Sequence, residues 1–313
     1  MAFLRLLRAV NLLILALSLV LFYHFIIEVN HINILKTHLV LFTPFDFALF
    51  VMSIVFVAAA GNIINDYYDY ELDRRYKPER PLPSGAFSMD QAMYLHAVFA
   101  FAGIGLGFYL GYSYGNLKVG YLYIVAVILL YLYSAYLKKI PLAGNVLVSA
   151  LAGFVFVLLL LFEINFLNLI QFDYASRMLH VLNSAVLFYG GFAFLTNLAR
   201  ELVKDLEDQE GDAALNYFTL PVAAGENAGR IAATLVLFVL IFALAYYMNG
   251  FYVSYARKEF YYLLIAVQLP LLYTVYLLFT SKAQKDYTRI SLLLKVIMLA
   301  GILSIPAFYY FNQ

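Results

Sequence analysis

The acidic residues of this 313-residue chain are concentrated in two short segments that share one spacing. Eleven of the nineteen Asp and Glu residues lie there, five between Asp66 and Glu79 and six between Glu201 and Asp212. Steps of three and then four residues place side chains along one face of a helix. That spacing occurs twice, offset by 139 residues (205 minus 66), at Asp66, Asp69 and Asp73 and at Asp205, Asp208 and Asp212.

Clustered carboxylates with this spacing favour a magnesium site. A solvated acidic face would explain one such segment, but it does not explain the same spacing twice. Mg²⁺ takes near-octahedral oxygen ligands and is usually held by one or two carboxylates together with substrate phosphates. We therefore expect Mg²⁺ ions and a diphosphate to bind between the two clusters. The predicted metal ligands are the six aspartates and Asn65, and Asn62 lies one turn earlier as a further neutral oxygen donor.

Basic side chains are interleaved with these acids. They could neutralise phosphate oxygens as a diphosphate leaving group takes up charge. Their alternative explanation is the general enrichment of Lys and Arg in inner loops of membrane proteins. The candidates are Arg74, Lys77, Arg80, Arg200 and Lys204.

The composition predicts that a membrane surrounds this chemistry. Hydrophobic residues make up 65% of the chain and charged residues 12%, too few to cover a soluble globule. The net charge of +1 gives no reason to expect nucleic acid, and the absence of Cys excludes disulfides and thiolate ligands. Nine apolar stretches have the length of membrane-spanning helices, which predicts an all-α protein: 10–27, 45–64, 92–113, 118–136, 142–162, 178–198, 229–249, 260–280 and 289–310. A re-entrant element over 28–44 is an alternative for that stretch.

The distribution of positive charge predicts the orientation. With the N-terminus inside, the inner segments hold fourteen Lys and Arg, among them Lys282, and the outer segments hold five: Lys36, Lys118, Arg177, Arg257 and Lys258. Arg5 and Arg8 precede the first apolar run as in a signal peptide, but no small-residue cleavage site follows, so this run is expected to be retained. We expect a multi-pass protein of the cell (inner) membrane, with the N-terminus and both acidic loops cytoplasmic.

The two motifs, with Asn65 before the first, resemble those of the UbiA superfamily of intramembrane prenyltransferases. The resemblance covers nearly the whole chain, residues 1–313, as one integral membrane domain with motif segments 62–85 and 197–221. Further residues similar to the family pattern are Arg8, Asn11, Arg80 to Gly85, Tyr133, Ser134, Lys138, Lys139, Gly144, Asn145 and Thr219 to Pro221.

The resemblance implies nine helices around a central cavity, in two pseudo-repeated halves that each carry an acidic cytoplasmic loop. It implies Mg²⁺-dependent transfer of a prenyl group from a prenyl diphosphate to an aromatic carbon or a hydroxyl. The six aspartates would be catalytic, and Tyr131, Tyr133 and Tyr136 could stabilise an allylic cation. The candidate substrate-binding residues are Asn11, Asn62, Asn65, Lys77, Arg80, Tyr133, Ser134, Lys138, Lys139, Arg200 and Lys204.

Within the superfamily, the residues around Lys204 and Asp205 are most similar to the geranylgeranyltransferases that act on geranylgeranylglyceryl phosphate. The implied partners are a prenyl diphosphate, a hydrophobic or phosphate-bearing acceptor and membrane lipid. Residues 213–218 depart from that pattern, so quinone-pathway acceptors (naphthoate or hydroxybenzoate) are the alternative, with chlorophyllide or haem after them. A divalent-cation transporter is the non-enzyme alternative, although transport sites usually place ionisable groups near the membrane midplane.

Overall fold

The computed structural model describes residues 1–35, 41–170, 175–281 and 283–312. Within these ranges all regular secondary structure is helical. Nine helical segments of the described part are long and apolar enough to cross a membrane: Ala9–Ile34, Pro44–Tyr68, Met89–Ser113, Lys118–Ala135, Ala143–Leu167, Ser176–Ala214, Glu226–Val253, Arg257–Thr280 and Gln284–Phe311. The prediction of an all-α membrane protein with nine spans is confirmed.

The second and sixth spans continue as helix beyond the apolar stretches, which end at residues 64 and 198. The second span runs to Tyr68 and is followed by a helix at Tyr70–Tyr76. The sixth span belongs to a helix of 40 residues, Ala175–Ala214. The segments expected to be acidic loops are therefore mostly helical, because they contain good helix formers such as Glu, Leu, Lys and Arg. In the first segment the helix ends at Tyr76, two residues before Pro78.

The first span also extends beyond its predicted end. Wide π-helical turns at Tyr23–Glu28 and His31–Leu35 continue the helix Ala9–Phe22, so residues 28–35 extend the first span. The remainder of the expected re-entrant element includes residues 36–40, which lie outside the described residues, as do the predicted outer cation Lys36 and the inner cation Lys282.

The chain divides into two compact units. Unit 1 comprises Met1–Leu137 and Val155–Ser184, and unit 2 comprises Lys138–Phe154 and Ala185–Gln313. The first acidic segment belongs to unit 1 and the second to unit 2. The expectation of a single domain over residues 1–313 stays a prediction.

Close contacts between helices fix the position of the second span in unit 1. A Cβ atom at Gly107 of the third span would overlap the ring of Tyr123 in the fourth span. The hydroxyls of Tyr123 and Ser53 lie 2.8 Å apart in a buried hydrogen bond. Phe42 packs edge-to-face on Phe162 at 5.2 Å between ring centroids. This packing gives the second span, which carries the first acidic segment, a defined place in unit 1.

A buried ionisable pair joins the first and fifth spans. His31 Nε2 lies 2.5 Å from Glu163 Oε1, and the two side chains are 1% and 0% exposed. The imidazole also stacks on the ring of Phe166. Removing one member of such a buried pair is strongly destabilising, so we expect substitutions at either residue to disturb unit 1.

Leucine side chains and one tight glycine contact build the core of unit 2. Leu237, Leu271 and Leu294 come from three different spans and are all 0% exposed. Gly301 of the ninth span faces the ring of Phe192 in the sixth span so closely that an added Cβ would overlap it. The helix that carries the second acidic segment is therefore packed against the last span.

A hydrogen-bonded cluster ties together the ends of the seventh, eighth and ninth spans. Arg230 donates from Nε to the hydroxyl of Tyr287, and from Nη2 to Glu226 Oε1 and to the backbone oxygen of Ser281, each at 2.6 Å. These bonds lie at the same ends of the helices as the second acidic segment, whose Glu207 oxygen accepts from a side chain of the ninth span.

Candidate functional site

The first acidic segment lies on a nearly continuous helix. The second span ends at Tyr68 and the next helix starts at Tyr70, with Asp69 between them at φ −87° and ψ 0°. The backbone N–H of Asp69 donates to Asn65 O at 3.0 Å, and that of Asp73 donates to Asp69 O at 2.8 Å. The spacing of three and four residues therefore keeps the aspartates on successive turns of one side.

Two arginines, one far from this cluster in sequence and one close to it, form ion pairs with its aspartates. Arg8 Nη2 donates to Asp66 Oδ1 at 2.6 Å. Arg80 Nη1 donates to Asp73 Oδ2 at 2.6 Å and lies 3.8 Å from Asp66 Oδ1. Arg8 adopts the left-handed conformation (φ 53°), which is uncommon for a residue other than glycine. The arginines neutralise part of the charge that the helix places on one face.

The two amide side chains of the segment have different partners. Asn65 Nδ2 donates to Asp69 Oδ2 at 2.8 Å and so orients a predicted metal ligand. Asn62 Nδ2 donates to the backbone oxygen of Leu7 at 2.9 Å. Asn62 therefore ties the second span to the N-terminal segment that carries Arg8.

Asp73 combines burial with an unused oxygen atom. The residue is 1% exposed, and its Oδ1 atom is buried without a hydrogen-bond partner among the described residues. Burial raises the pKa of Asp73 to about 6, while the neighbouring Arg80 acts in the opposite direction. A buried carboxylate oxygen with no donor is energetically costly, and binding a cation would satisfy it.

Lys77 lies close in sequence to this cluster, and Asn11 lies close in sequence to Arg8, which pairs with Asp66. Lys77 is half-buried, and its backbone N–H donates to Asp73 O at 2.8 Å. Asn11 is half-buried at the start of the first span, where its backbone N–H donates to Arg8 O at 2.8 Å. The structure thus places both predicted substrate-binding residues beside residues that pair with or belong to the acidic cluster.

The predicted tyrosines of the fourth span lie in unit 1 as well. Tyr133 is half-buried and lies near Arg8. Ser134 is buried, and its hydroxyl donates to a carbonyl of its own helix at 2.9 Å. Tyr131 and Tyr136 are exposed, and the Tyr131 hydroxyl accepts from that of Tyr68 at 2.6 Å. Tyr131 is therefore linked directly to the end of the second span.

The second acidic segment continues the long helix of the sixth span. Asp205, Asp208 and Asp212 lie on its last turns, which end at Ala214. Asp205 Oδ2 accepts a hydrogen bond from Asn145 Nδ2 at 3.0 Å, and Asn145 belongs to the first turn of the fifth span. A neutral amide thus contacts Asp205, whereas arginines contact Asp66 and Asp73.

The chain folds back on Asp212 after the helix ends. Asp212 is 6% exposed, and its Oδ2 accepts from the Thr219 hydroxyl at 3.2 Å. Its backbone oxygen accepts from the N–H of Tyr217 at 2.9 Å. Asn216, with φ 56°, provides the left-handed residue that reverses the chain. The segment after the second motif therefore fixes its last carboxylate.

The basic residues near the second motif have specific partners. Arg200 donates to Glu201 at 2.6 Å, and Lys204 Nζ lies 3.6 Å from the same carboxylate. Lys139 Nζ lies 4.8 Å from the ring centroid of Tyr217, in a cation–π contact. Lys138 is half-buried beside it, in the 3₁₀ turn Leu137–Lys139.

The acidic residues fit magnesium held together with a phosphate group. No three His, Asp or Glu side chains of the described residues converge closely enough to hold a metal ion by themselves. Mg²⁺ usually keeps waters and binds one or two carboxylates together with substrate phosphates, so it does not need such a group. The unpartnered oxygen of Asp73 and the neutral donor beside Asp205 leave carboxylate oxygens available for a cation.

Three contacts of the site were not predicted from the sequence: the pairing of Arg8 with Asp66, of Asn145 with Asp205 and of Thr219 with Asp212. Each partner was recognised as part of the family pattern, but none was assigned a role. For Arg8 and Asn145, the available signal was a polar residue at the start of an apolar span, where packing does not require one.

Comparisons with known proteins agree with this architecture. The model of the UbiA prenyltransferase family matches residues 36–313. Digeranylgeranylglyceryl phosphate synthase of Methanosphaera stadtmanae is 33% identical over 253 residues, which cover 80% of this chain and 83% of that protein. The enzyme of the same name from Methanocaldococcus jannaschii is 31% identical over 269 residues, covering 85% and 82%.

A solved structure of a UbiA homolog from Archaeoglobus fulgidus, bound to GPP and Mg²⁺, has the same fold. Its TM-score is 0.61 at 19% identity, and the match covers 98% of this chain and 100% of that one. Because the family model matches well over half of the chain, and relatives above 30% identity are covered over more than two thirds of their length, this multi-pass membrane protein belongs to the UbiA prenyltransferase family.

Proposed function

We propose that this protein transfers a geranylgeranyl group from geranylgeranyl diphosphate to geranylgeranylglyceryl phosphate. The observation that carries the choice of acceptor is the similarity, over about four fifths of the chain, to proteins named digeranylgeranylglyceryl phosphate synthase. The repeated aspartate spacing supports a diphosphate donor, since carboxylate clusters are suited to metal-bridged phosphates.

In the proposed reaction, the bond between the allylic carbon and the diphosphate oxygen breaks. An ether bond forms between that carbon and a hydroxyl oxygen of the acceptor, and the hydroxyl proton leaves with the diphosphate product. The diphosphate gains negative charge as the bond breaks, so cationic groups aimed at it lower the barrier. Water must be kept away, because it would compete with the acceptor for the allylic carbon.

The six aspartates are the proposed catalytic metal ligands, with Asn65 as a neutral ligand of the first cluster. When bound, Mg²⁺ would neutralise the departing diphosphate. Asn65 holds Asp69 through its amide, and Arg8 and Arg80 hold Asp66 and Asp73.

The remaining proposed roles concern the substrates. Lys77, Arg80, Lys138, Lys139, Arg200 and Lys204 are proposed to contact diphosphate or the acceptor phosphate, and Asn11, Asn62, Tyr133 and Ser134 are proposed to line the substrate site. Aromatic faces of Tyr131, Tyr133 and Tyr136 are proposed to stabilise the allylic cation. The many exposed aromatic and aliphatic side chains suit a protein whose donor and acceptor both carry long apolar chains.

We propose that the active-site helices and the N-terminus face the cytoplasm. Fourteen Lys and Arg on that side against five on the other support this orientation. Both acidic segments follow even-numbered spans, which supports the proposal that they lie on the same side of the membrane as the N-terminus. A cytoplasmic site would have direct access to phosphate-bearing substrates made in water.

Product analysis by mass spectrometry tests the proposal. The purified protein is incubated with geranylgeranyl diphosphate and Mg²⁺ in parallel with geranylgeranylglyceryl phosphate, 1,4-dihydroxy-2-naphthoate or 4-hydroxybenzoate. We expect a Mg²⁺-dependent adduct with the glyceryl phosphate alone. An adduct with one of the aromatic compounds instead would make the protein an aromatic prenyltransferase.

A matched pair of variants makes this experiment specific for the acidic cluster. Asp208→Asn should abolish the adduct, whereas Glu210→Gln, which changes an exposed acid two residues later on the same helix, should retain it. No adduct with any acceptor or prenyl donor, together with Mg²⁺ uptake into vesicles, would overturn the enzyme assignment in favour of a transporter.

A further inference from the structure

The fifth and sixth spans pack closely in unit 2, and small residues make this possible. A Cβ added at Gly153 of the fifth span would lie 2.7 Å from the backbone oxygen of Gly190 in the sixth span. One turn earlier on the fifth span, the hydroxyl of Ser149 accepts from Asn197 Nδ2 at 3.2 Å. These contacts fix which residues of the two antiparallel helices face each other.

This register places Asn145 opposite Asp205. Asn145 lies one turn before Ser149 and is 7% exposed, and its Nδ2 atom donates to Asp205 Oδ2 at 3.0 Å. The Ser149 hydroxyl donates to the backbone oxygen of Asn145 at 2.6 Å. The packing of the two spans thus fixes the position of Asn145 along the fifth span. Its amide lies at the end of the helix–helix contact that is next to the second acidic segment.

The chemical nature of this contact differs from that of the first cluster. Arg8 and Arg80 form charged pairs with Asp66 and Asp73, which cancel part of the negative charge. The neutral amide of Asn145 orients a carboxylate without cancelling its charge, so the second oxygen remains attractive to a cation. If the contact served only to join two helices, an apolar pair would do so without burying polar groups.

We propose that Asn145 is a positioning residue for the carboxylate of Asp205, which it orients for cation binding. This inference rests on the proposed function only in that Asp205 is taken to bind a metal ion. Asn145 acts through Asp205 and is not itself assigned contact with metal or substrate. Partners that hold metal ligands in this way typically contribute about tenfold or more to metal affinity.

Cation binding can be measured without turnover. Mn²⁺ replaces Mg²⁺ at oxygen sites and is detected by electron paramagnetic resonance. The purified protein is titrated with Mn²⁺ in the presence of inorganic pyrophosphate. Asn145→Ala should weaken Mn²⁺ binding by about tenfold. Asn30→Ala is the matched control, because the hydrogen bond that its amide makes among the described residues lies within its own helix, to Ile26 O. This variant should bind Mn²⁺ as the wild type does.

A double-variant cycle separates positioning from a general effect on structure. If Asn145 acts through Asp205, adding Asn145→Ala to Asp205→Ala should weaken binding no further. Equal effects of Asn145→Ala in both backgrounds, or an unchanged Mn²⁺ affinity in the single variant, would overturn the proposal. Asn145→Leu, which keeps the volume of the side chain but removes the amide donor, provides the same test if the alanine variant fails to fold. Failure of the wild type to bind Mn²⁺ would instead refute the metal site itself.

Discussion

Replacing Arg80 by Met tests how the first acidic cluster is kept ready for a cation. Arg80 Nη1 lies 2.6 Å from Asp73 Oδ2 and 3.8 Å from Asp66 Oδ1. Burial raises the pKa of Asp73 to about 6, and the attraction of Arg80 keeps it from rising further. Met preserves much of the length of the arginine stem and removes only the charged group.

The expected shift follows from these contacts. An opposite charge within 4–6 Å typically lowers the pKa of a carboxyl by about 1–3 units, so Arg80→Met should raise the pKa of Asp73 to about 7 or above. A carboxyl with a pKa of about 6 is roughly 90% ionised at pH 7, and one with a pKa of about 7 is roughly half ionised. Cation binding needs the ionised form, so it is present above the pKa and is lost as the pH falls through it. The variant should therefore need a pH about one unit higher for the same binding.

The assay is a Mn²⁺ titration with inorganic pyrophosphate and without prenyl donor or acceptor, repeated at pH values below and above the Asp73 pKa. A contact of Arg80 with pyrophosphate would change the Mn²⁺ affinity at every pH, whereas the effect on Asp73 shifts the midpoint pH of binding. Arg75→Met is the matched control, because Arg75 is an exposed arginine of the same segment. The quantity compared is the pH at which Mn²⁺ binding is half of its maximum. If this pH is the same in Arg80→Met as in the wild type, or lower, the role assigned to Arg80 is refuted.

Three further predictions concern other parts of the molecule. Asp69→Ala or Asp208→Ala should abolish turnover while the protein elutes as a folded species in detergent, and near-wild-type turnover with Mg²⁺ present would contradict the metal site. Glu163→Ala should lower stability by about 3–5 kcal/mol because it removes the carboxylate that pairs with the buried Nε2 atom of His31, and thermal unfolding in detergent measures the loss. Gly301→Val should cost about 1–3 kcal/mol, since its Cβ overlaps an aromatic ring, and an unchanged unfolding temperature would show that this contact is wrong.

The sequence predicts the spans well because each apolar run must be as long as the membrane is thick. It predicts the helix ends less well, since hydropathy marks where the membrane ends and not where the helix ends. The helix Ala175–Ala214 extends sixteen residues (214 minus 198) past its apolar stretch because its charged residues favour helix as much as its apolar ones do.

The acidic face could be predicted because helical periodicity depends only on spacing within one segment. The partners of these acids could not, because they depend on which helices pack together and in which register. Arg8 reaches Asp66 across 58 positions of sequence, and Asn145 reaches Asp205 across 60. The register that makes the second contact depends on two glycines, Gly153 and Gly190, whose close approach no local pattern reveals.

The most direct test of the central claim is to measure prenyl transfer and pyrophosphate release together. The purified protein is incubated with geranylgeranyl diphosphate and geranylgeranylglyceryl phosphate, with Mg²⁺ or with a chelator. We expect equal amounts of the diether phosphate and pyrophosphate with Mg²⁺, and neither when Mg²⁺ or the acceptor is left out. Product formation that persists in the chelator, or pyrophosphate release without any ether product, would contradict the proposed Mg²⁺-dependent transfer to the glyceryl phosphate.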